Sequence, residues 1–229
     1  MRTYIFIISL MVSFVLNAQE NSRKDSIPTQ RYGLRVGADV SKFAKSFFID
    51  DYTAFEINAD YKFSKRYYIA GAFGHENRTI DETQVNFTTK GSYFNIGVDY
   101  NAYENWLDME NAIYVGLRYG ASSFSHTLNS YSIYNSNGGY WEEVGAQNNS
   151  QNFDVTTSHW VELIVGIKAE VFNNLYLGVN AQLKNLVSNT SPDGFDNLYI
   201  PGFGRTYQDS NWGVGFGYTI NYFIPFYKK

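Results

Sequence analysis

Nine ionisable residues alternate with apolar residues along several stretches of the chain, and they are the side chains that could do chemistry together. Acidic and basic groups in such numbers could carry protons or ions through the interior of a protein. The other interpretation is a plug of ion pairs, which we favour because a buried charge must be paired. The nine residues are Arg35, Glu56, Asp60, Asp99, Arg118, Glu162, Lys168, Glu170 and Lys184.

Three histidines, His75, His126 and His159, are the next groups to consider. They show no spacing typical of zinc ligands. Ser125 and His126 do not form a catalytic pair by adjacency, since neighbouring residues of a strand point to opposite faces. The sequence therefore predicts no metal, no cofactor and no catalytic residue. Turn aspartates that lack the alternating acidic pattern of a calcium loop lead to the same prediction: Asp193, Asp196 and Asp209.

The element that must position several of these charges runs from Trp160 to Leu186. Apolar residues occupy alternate positions on both sides of Phe172-Asn173-Asn174, which predicts two strands joined by a tight turn. Pairing Val171 with Leu175 keeps the apolar sets on one side and places Glu162 opposite Lys184 on the other. Each limb has ~10 residues, the length that a tilted strand needs to cross a membrane.

The same alternation recurs along the chain and predicts eight strands. Their connections alternate between long and short, which is typical of outer-membrane barrels. We therefore predict an all-β fold, an eight-stranded antiparallel up-and-down transmembrane β-barrel, whose interior is too narrow for a wide pore. A soluble barrel would bury the apolar face instead, but the aromatic ends of that face favour the membrane. The predicted long loops are Ser41 to Asp50, His75 to Lys90, Ser123 to Thr157 and Val187 to Asn211.

The N-terminal residues predict export. Met1-Arg2 precedes an apolar run from Tyr4 to Leu16 and a small residue at Ala18, which indicates a signal peptide over 1–18. Residues 19–30 then form a flexible periplasmic tail, and residues 31–229 form the barrel with both termini in the periplasm. A chain without cysteine cannot carry a lipid-modified Cys, and a net charge of -4 without a basic cluster excludes nucleic acid.

Aromatic residues among Ser, Asn and Gly in the predicted loops point to binding. This composition is used by binding surfaces, because rigid rings supply contact area and small polar residues adapt. The equally supported alternative is that the rings pack on the barrel rim or lie in lipopolysaccharide. The candidates are Tyr131, Tyr134, Tyr140, Trp141 and Phe153.

Several segments carry a family resemblance. YGLRVGADVSK, KGSYFNIGVDYNAYENW, HWVELIVGIKAEVFNNLYLG and FDNLYIPGFGRTY resemble an uncharacterised outer-membrane family of the Bacteroidota, within the small OmpA and OmpX type of barrel. The resemblance implies no activity that can be assigned to residues. The ending departs from the usual terminal aromatic residue, since Lys228-Lys229 follow Phe226-Tyr227. Asp25-Ser26-Ile27 resembles the O-glycosylation motif of that phylum.

Together these observations predict an integral outer-membrane protein of a Gram-negative cell without enzymatic activity. It would contact outer-membrane lipids and lipopolysaccharide, and it would stabilise the envelope or bind a ligand or partner through its extracellular loops. An accessory role in a larger outer-membrane complex is part of this prediction. The alternative is a lipid-modifying acyl-transfer enzyme at the loop side, which rests on fold analogy alone.

Overall fold

The computed structural model describes residues 31–103, 110–132, 150–192, 194–207 and 209–228. Eight long strands close into an antiparallel barrel, and two short strands form a separate hairpin. The predicted fold class is thereby confirmed. The elements are β1 Arg31–Asp39, α1 Val40–Phe48, β2 Tyr52–Lys62, β3 Tyr67–Asp81, β4 Val85–Asn101, β5 Ala112–Tyr131, β6 Gln151–Phe172, β7 Leu175–Asn189, β8 Tyr199–Ile200, β9 Gly204–Arg205 and β10 Trp212–Lys228.

The alternation of residue types decides which side of each strand faces inward. Val165 is 48% exposed, whereas Ile164, its neighbour on β6, is 1% exposed, because successive side chains point to opposite faces of a strand. The outer face is apolar around the barrel, and the inner face carries most of the charges. Tyr32 departs from this alternation, since it is buried although Val36, at an equivalent position on β1, faces outward. A register shift between Tyr32 and Gly33 accounts for this reversal.

The strands extend further than the predicted loops allow. The segment from His75 to Lys90 is not a loop, because β3 and β4 stay paired as far as Asp81 and Asn86. Polar cross-strand contacts continue the ladder, as between the hydroxyls of Thr79 and Thr88 at 2.9 Å. Likewise β5 continues to Tyr131. Alternation of apolar residues marks the apolar belt of the barrel and does not mark where strand pairing ends.

The β6–β7 hairpin has the predicted face assignment but a tighter turn. Glu162 pairs with Lys184, as predicted, whereas Leu175 pairs with Phe172 and not with Val171. A register shift between Glu170 and Phe172 absorbs the extra residue. Asn174 takes the left-handed conformation, with φ of 64°, which Asn tolerates better than most residues.

Residues 41–48 of the predicted first loop form most of the helix α1. Asp39 begins the helix by accepting a hydrogen bond from the Ser41 N–H at 2.8 Å, which is the usual function of an N-cap carboxylate. A helix of nine residues has too few turns for a helical period to be evident in the sequence. No helix in the described part of the chain has the length and apolarity to cross a membrane.

The chain between β7 and β10 folds into the barrel mouth. Ile200 and Phe203, from the β8–β9 hairpin, are almost fully buried against Tyr93, Phe124 and Trp160. Residues 195–207, which include this hairpin, are called the plug below. It closes one end of the barrel, which we call the loop end. The opposite end carries the short turns and is called the turn end.

Candidate functional site

The interior near the turn end is held by two ion pairs. Arg31 contacts Glu170 at 2.8 Å and donates to the Asn174 side chain at 3.0 Å. Lys62 contacts Glu110 at 2.7 Å. These contacts tie the first described residue of β1 to the β6–β7 turn and seal the lumen at this end.

A second layer of charges crosses the middle of the barrel. Asp60 lies between Arg35, at 2.7 Å, and Lys168, at 2.5 Å. Arg118 contacts Asp99 through two nitrogens, at 2.7 and 3.3 Å. A cavity of about 20 Å³, lined by Asp60, Arg118 and Lys168 among others, has the size of one water molecule. This layer therefore blocks the lumen.

The layer at the loop end is built around Glu76. Its carboxylate accepts hydrogen bonds from the Tyr199 hydroxyl at 2.7 Å and the Gly202 N–H at 3.3 Å, and it pairs with Lys42. Gly202 has a left-handed φ of 79°, which favours glycine. Strand β3, helix α1 and the plug therefore meet at one carboxylate.

Glu162 and Lys184 face each other in register but have other partners. The Lys184 Nζ donates to the Gly202 carbonyl at 2.5 Å, and the Trp160 indole N–H donates to Glu162 Oε2 at 3.1 Å. The second oxygen of Glu162 has no hydrogen-bond partner among the described residues. The plug supplies the contact that the expected ion pair would have supplied.

The wall of the barrel is incomplete beside α1. Because β1 ends at Asp39, residues Tyr52–Glu56 of β2 pair with β3 alone, and residues Trp212–Tyr218 of β10 pair with β7 alone. We call this opening between β2 and β10 the seam gap. Helix α1 lies across it, in the place that a longer β1 would fill between β2 and β10.

Helix α1 satisfies backbone groups on both sides of the seam gap. The Ser46 hydroxyl accepts from the Ala54 N–H of β2 at 2.9 Å. Asp39, the helix cap, accepts from the Tyr218 N–H of β10 at 3.3 Å. An unpaired strand edge in contact with lipid is costly, since lipid offers no hydrogen-bond partner. The helix covers the edges that the short β1 leaves open.

The two faces of α1 match the two faces of the barrel wall. Phe47 and Phe48 are 85% and 87% exposed on its outer side, and Phe43 is also exposed. Lys42 points inward to Glu76. The helix therefore continues the apolar outside and the polar inside of the strands that it replaces.

A cavity of about 330 Å³ lies between α1, the plug and the barrel wall, and we call it the mouth cavity. Burial lowers the pKa of Lys42, but Glu76 together with Tyr93, Glu56 and Tyr52 raises it by more, so the pKa lies well above its ordinary value. Burial, followed by Glu76, raises the pKa of Tyr199 well above its ordinary value. Lys42 is thus a cation and Tyr199 a neutral donor at neutral pH. The charged residues that line the cavity are Asp39, Lys42, Lys45, Glu56, Glu76, Arg78, Lys184 and Arg205.

The three histidines do not converge on one site. His75 contacts Ser92 at 2.9 Å and His159 contacts Tyr119 at 2.8 Å. Only His126 among the three is fully buried, with 1% exposure. The described residues contain no group of three His, Cys, Asp or Glu placed to hold a metal ion.

His126 belongs to a hydrogen-bonded chain that resembles a catalytic triad in composition. Its Nδ1 lies 2.7 Å from the Thr89 hydroxyl, and its Nε2 lies 2.9 Å from Asn197 Oδ1. The Asn oxygen is an acceptor, so Nε2 carries the proton and Nδ1 accepts from Thr89. Thr89 has no exposed surface, so the chain fastens the plug to β4 and β5 and offers no hydroxyl to a substrate.

The structure places the nine predicted ionisable residues on the inner face. Glu170 lies at the turn end, and five residues form the middle layer: Arg35, Asp60, Asp99, Arg118 and Lys168. Glu56 and Lys184 line the mouth cavity described above, and Glu162 faces Lys184 in register. Sequence reasoning missed Lys42, Glu76 and Arg78, because each falls in a segment that was predicted to be a loop. It also missed Arg31 of the turn end. The sequence does contain a signal for the inward position of Glu76, because this residue continues the inward-facing alternation of β3 beyond Phe73.

Two of the five predicted loop aromatics, Tyr131 and Phe153, lie within the described residues. Phe153 stacks on Phe195 of the plug, with ring centroids 4.9 Å apart, and Tyr131 is 36% exposed at the end of β5. Other sequence predictions lie outside the described residues: Tyr134, Tyr140, Trp141, Asp193, the signal peptide over 1–18 and the tail over 19–30.

Comparisons with known proteins identify a family and a set of similar folds. A family model described as "Domain of unknown function (DUF6048)" matches residues 1–229. No curated protein matches the chain. Among solved structures, Ail, the attachment invasion locus protein of Yersinia pestis, is 10% identical, with a TM-score of 0.41, 84% of this chain covered and 97% of that chain.

Two further solved structures are similar at the same level. Neisserial surface protein A is 9% identical, with a TM-score of 0.41, and the match covers 86% of this chain and 97% of that chain. CarO2 of Acinetobacter baumannii is 10% identical, with a TM-score of 0.41, 86% of this chain covered and 99% of that chain.

Proposed function

The chain belongs to the DUF6048 family, and we propose that it is a sealed outer-membrane barrel without enzymatic activity that binds at its loop end. The observation that carries this proposal is the contrast between its two faces. The outer face exposes apolar side chains all round, as with Ile57 at 54% and Ile167 at 54%, whereas Asp60 inside is 3% exposed. Lipid is the solvent that this arrangement fits.

The layers of charge argue against transport through the barrel. Asp60 with its two cations and the Arg118–Asp99 pair fill the middle of the lumen, and the plug fills the loop end. A hydrated ion would have to separate buried ion pairs to pass, at a cost of several kcal/mol for each. We expect no steady conductance.

The loop end offers the surfaces for binding. It contains the mouth cavity, the plug and the exposed rings of α1, while the turn end is closed by short connections. With eight strands, both termini emerge at the turn end, which places the loop end outside the cell if export proceeds through the periplasm. Envelope stabilisation or binding, including an accessory role in a larger complex, would act through this end.

Fractionation, mobility and conductance test the barrel. The protein should be recovered with outer membranes, migrate faster on a gel before boiling than after it, and give no steady current in planar bilayers. An epitope inserted between Glu82 and Thr83 should be detected on intact cells, whereas the same epitope between Ser64 and Lys65 should require permeabilisation. Recovery as a soluble periplasmic protein would refute the proposal, and reversed labelling would refute its orientation.

A further inference from the structure

The mouth cavity reaches the lipid-facing side of the barrel wall. Val214 and Phe216 of β10 line it together with the inward residues Glu56 and Lys184. Both β10 residues are outward residues, with 71% and 66% exposure. The cavity therefore reaches the unpaired edge of β10, and the seam gap lies at this edge because β1 is missing beside it.

Cations outnumber carboxylates among the residues that line the cavity, with five Lys or Arg side chains against Asp39, Glu56 and Glu76. Lys42 and Arg205 are paired with Glu76 and Glu82. Lys45, Arg78 and Lys184, by contrast, have no carboxylate within 4.0 Å in the part of the chain that the structure describes. Arg78 lies over the Tyr52 and Tyr199 rings, 5.8 and 5.0 Å from their centroids, and so its guanidinium edge keeps its donors for an anion.

One buried acceptor also lacks a partner in this cavity. Asn95 is 8% exposed, and its Oδ1 has no hydrogen bond among the described residues. This excess of cations, together with an amide oxygen, suits a ligand that combines an anion with hydroxyl donors. The volume of about 330 Å³ lies at the lower end of the ~300–1,000 Å³ of small-molecule pockets. A phosphorylated sugar has this chemistry and this size.

Helix α1 is attached to the wall by few contacts. No residue of α1 is fully buried. Its inward links are mostly polar and include the Ser46–Ala54 hydrogen bond, the cap at Asp39 and the Lys42–Glu76 ion pair. Lys42 also lies over the Tyr93 ring, 5.3 Å from its centroid. Segments with little buried apolar surface open at the lowest free energy. The outward rings of Phe47 and Phe48 would remain in an apolar phase if the helix moved along the membrane surface.

We propose that α1 is a side door over the seam gap, and that the mouth cavity takes the phosphorylated sugar headgroup of an outer-leaflet glycolipid. The acyl chains stay in the membrane along β10 and α1 while the headgroup passes inward between β2 and β10. Arg78 and Lys45 contact the phosphate, and Asn95 accepts from a sugar hydroxyl. This inference rests on the proposed function, because it requires the barrel to lie in the outer membrane.

Binding of three probes to the folded barrel in detergent tests the ligand. The probes are a bisphosphorylated, acylated glucosamine disaccharide, the same lipid after phosphatase treatment, and inorganic phosphate; native mass spectrometry measures their occupancy. We expect the treated lipid to bind at least about tenfold more weakly, equivalent to ~1.4 kcal/mol. The double change Arg78→Gln with Lys45→Gln should weaken the phosphorylated lipid by a similar factor. Lys90→Gln, an exposed charge on β4, is the matched control and should have an effect under about twofold, as for other solvent-exposed charges.

A locked helix tests the route of entry. The chain has no cysteine, so Ser46→Cys with Ala54→Cys introduces its only thiols, at neighbouring positions of α1 and β2 where the Ser46 hydroxyl lies 2.9 Å from the Ala54 backbone nitrogen. Closing this pair by oxidation or by a short bis-methanethiosulfonate should slow lipid capture at least about tenfold, and reductant should restore it. Phosphate uptake should not change.

Each outcome decides a separate part of the inference. Equal binding of both lipids refutes the anion site, binding of phosphate without the phosphorylated lipid refutes the lipid source, and unchanged capture by the locked variant refutes the side door. Gel mobility before boiling is measured on every sample. A variant that keeps the mobility of the folded barrel but loses lipid therefore leaves the proposed barrel intact.

Discussion

Replacing Asp60 with Asn should destabilise the barrel more than any other single charge removal in the lumen. Asp60 is the shared partner of Arg35 and Lys168, and the three side chains are only 3%, 4% and 8% exposed. Asp60→Asn keeps the size of the side chain and removes the charge, so two buried cations face each other without a carboxylate.

The magnitude follows from the number of charges that lose a partner. Breaking one buried ion pair costs ~3–5 kcal/mol. Two cations are orphaned here and repel each other, so we expect about 5 kcal/mol, against a total free energy of unfolding of ~5–15 kcal/mol for a typical domain. Adding Lys168→Met removes one orphan charge and should recover about half of the loss. Lys168→Met alone leaves the Arg35–Asp60 pair and should cost less than Asp60→Asn.

Denaturant titration of the barrel in lipid vesicles, followed by tryptophan fluorescence, measures these differences. Glu82→Gln is the matched control, because the Arg205–Glu82 pair is 54% and 41% exposed and such pairs contribute ~0–1 kcal/mol. If Asp60→Asn costs no more than Glu82→Gln, the lumen is hydrated and the middle layer is not a buried plug. If the double variant is no more stable than Asp60→Asn, the two cations are not coupled.

Three further predictions test the faces, the buried histidine and the plug. Val165→Lys places a charge on the outer face and should cost ~2–4 kcal/mol in vesicles, while a tolerated lysine would mean that the outer face is wet. Thr89→Val and His126→Gln should leave lipid A and phospholipid composition in cells unchanged, whereas altered lipids would revive the acyl-transfer alternative. Lys184→Met should speed proteolysis of the plug, because its bond to the Gly202 carbonyl is lost, and Glu162→Gln should not rescue it; a full rescue would mean that the two side chains pair directly.

The barrel could be predicted because residue alternation is imposed by two different solvents. Lipid outside selects apolar residues such as Val165, and the narrow lumen selects charges such as Asp60, so the pattern of each strand reports its two sides. The register of Glu162 and Lys184 was predictable from the alternation, although the turn is one residue tighter than predicted and a register shift between Glu170 and Phe172 compensates for it. The hydrogen-bond partner of Lys184 was not predictable, because Lys184 donates to the Gly202 carbonyl, which belongs to the plug.

The loop end was less predictable because its structure depends on tertiary contacts. Helix α1 has nine residues, which is below the length at which a helix is stable alone. Its stability comes from the edges that it covers at Ala54 and Tyr218. The Glu76 cluster needs β3, α1 and the plug together, and residue spacing along the chain does not show which loops will meet.

The carboxylate of Asp39 has a consequence for the order of assembly. It caps α1 and also receives the Tyr218 N–H, a contact between residues 179 positions apart. The β1–β10 pairing joins the two ends of the barrel and so carries a large loop-closure entropy, which makes it a late step in folding. Helix α1 is fully stabilised only after β10 has paired with β1. Formation of the helix therefore indicates that the barrel has closed. Time-resolved protection of the α1 amides would therefore follow the final step of assembly.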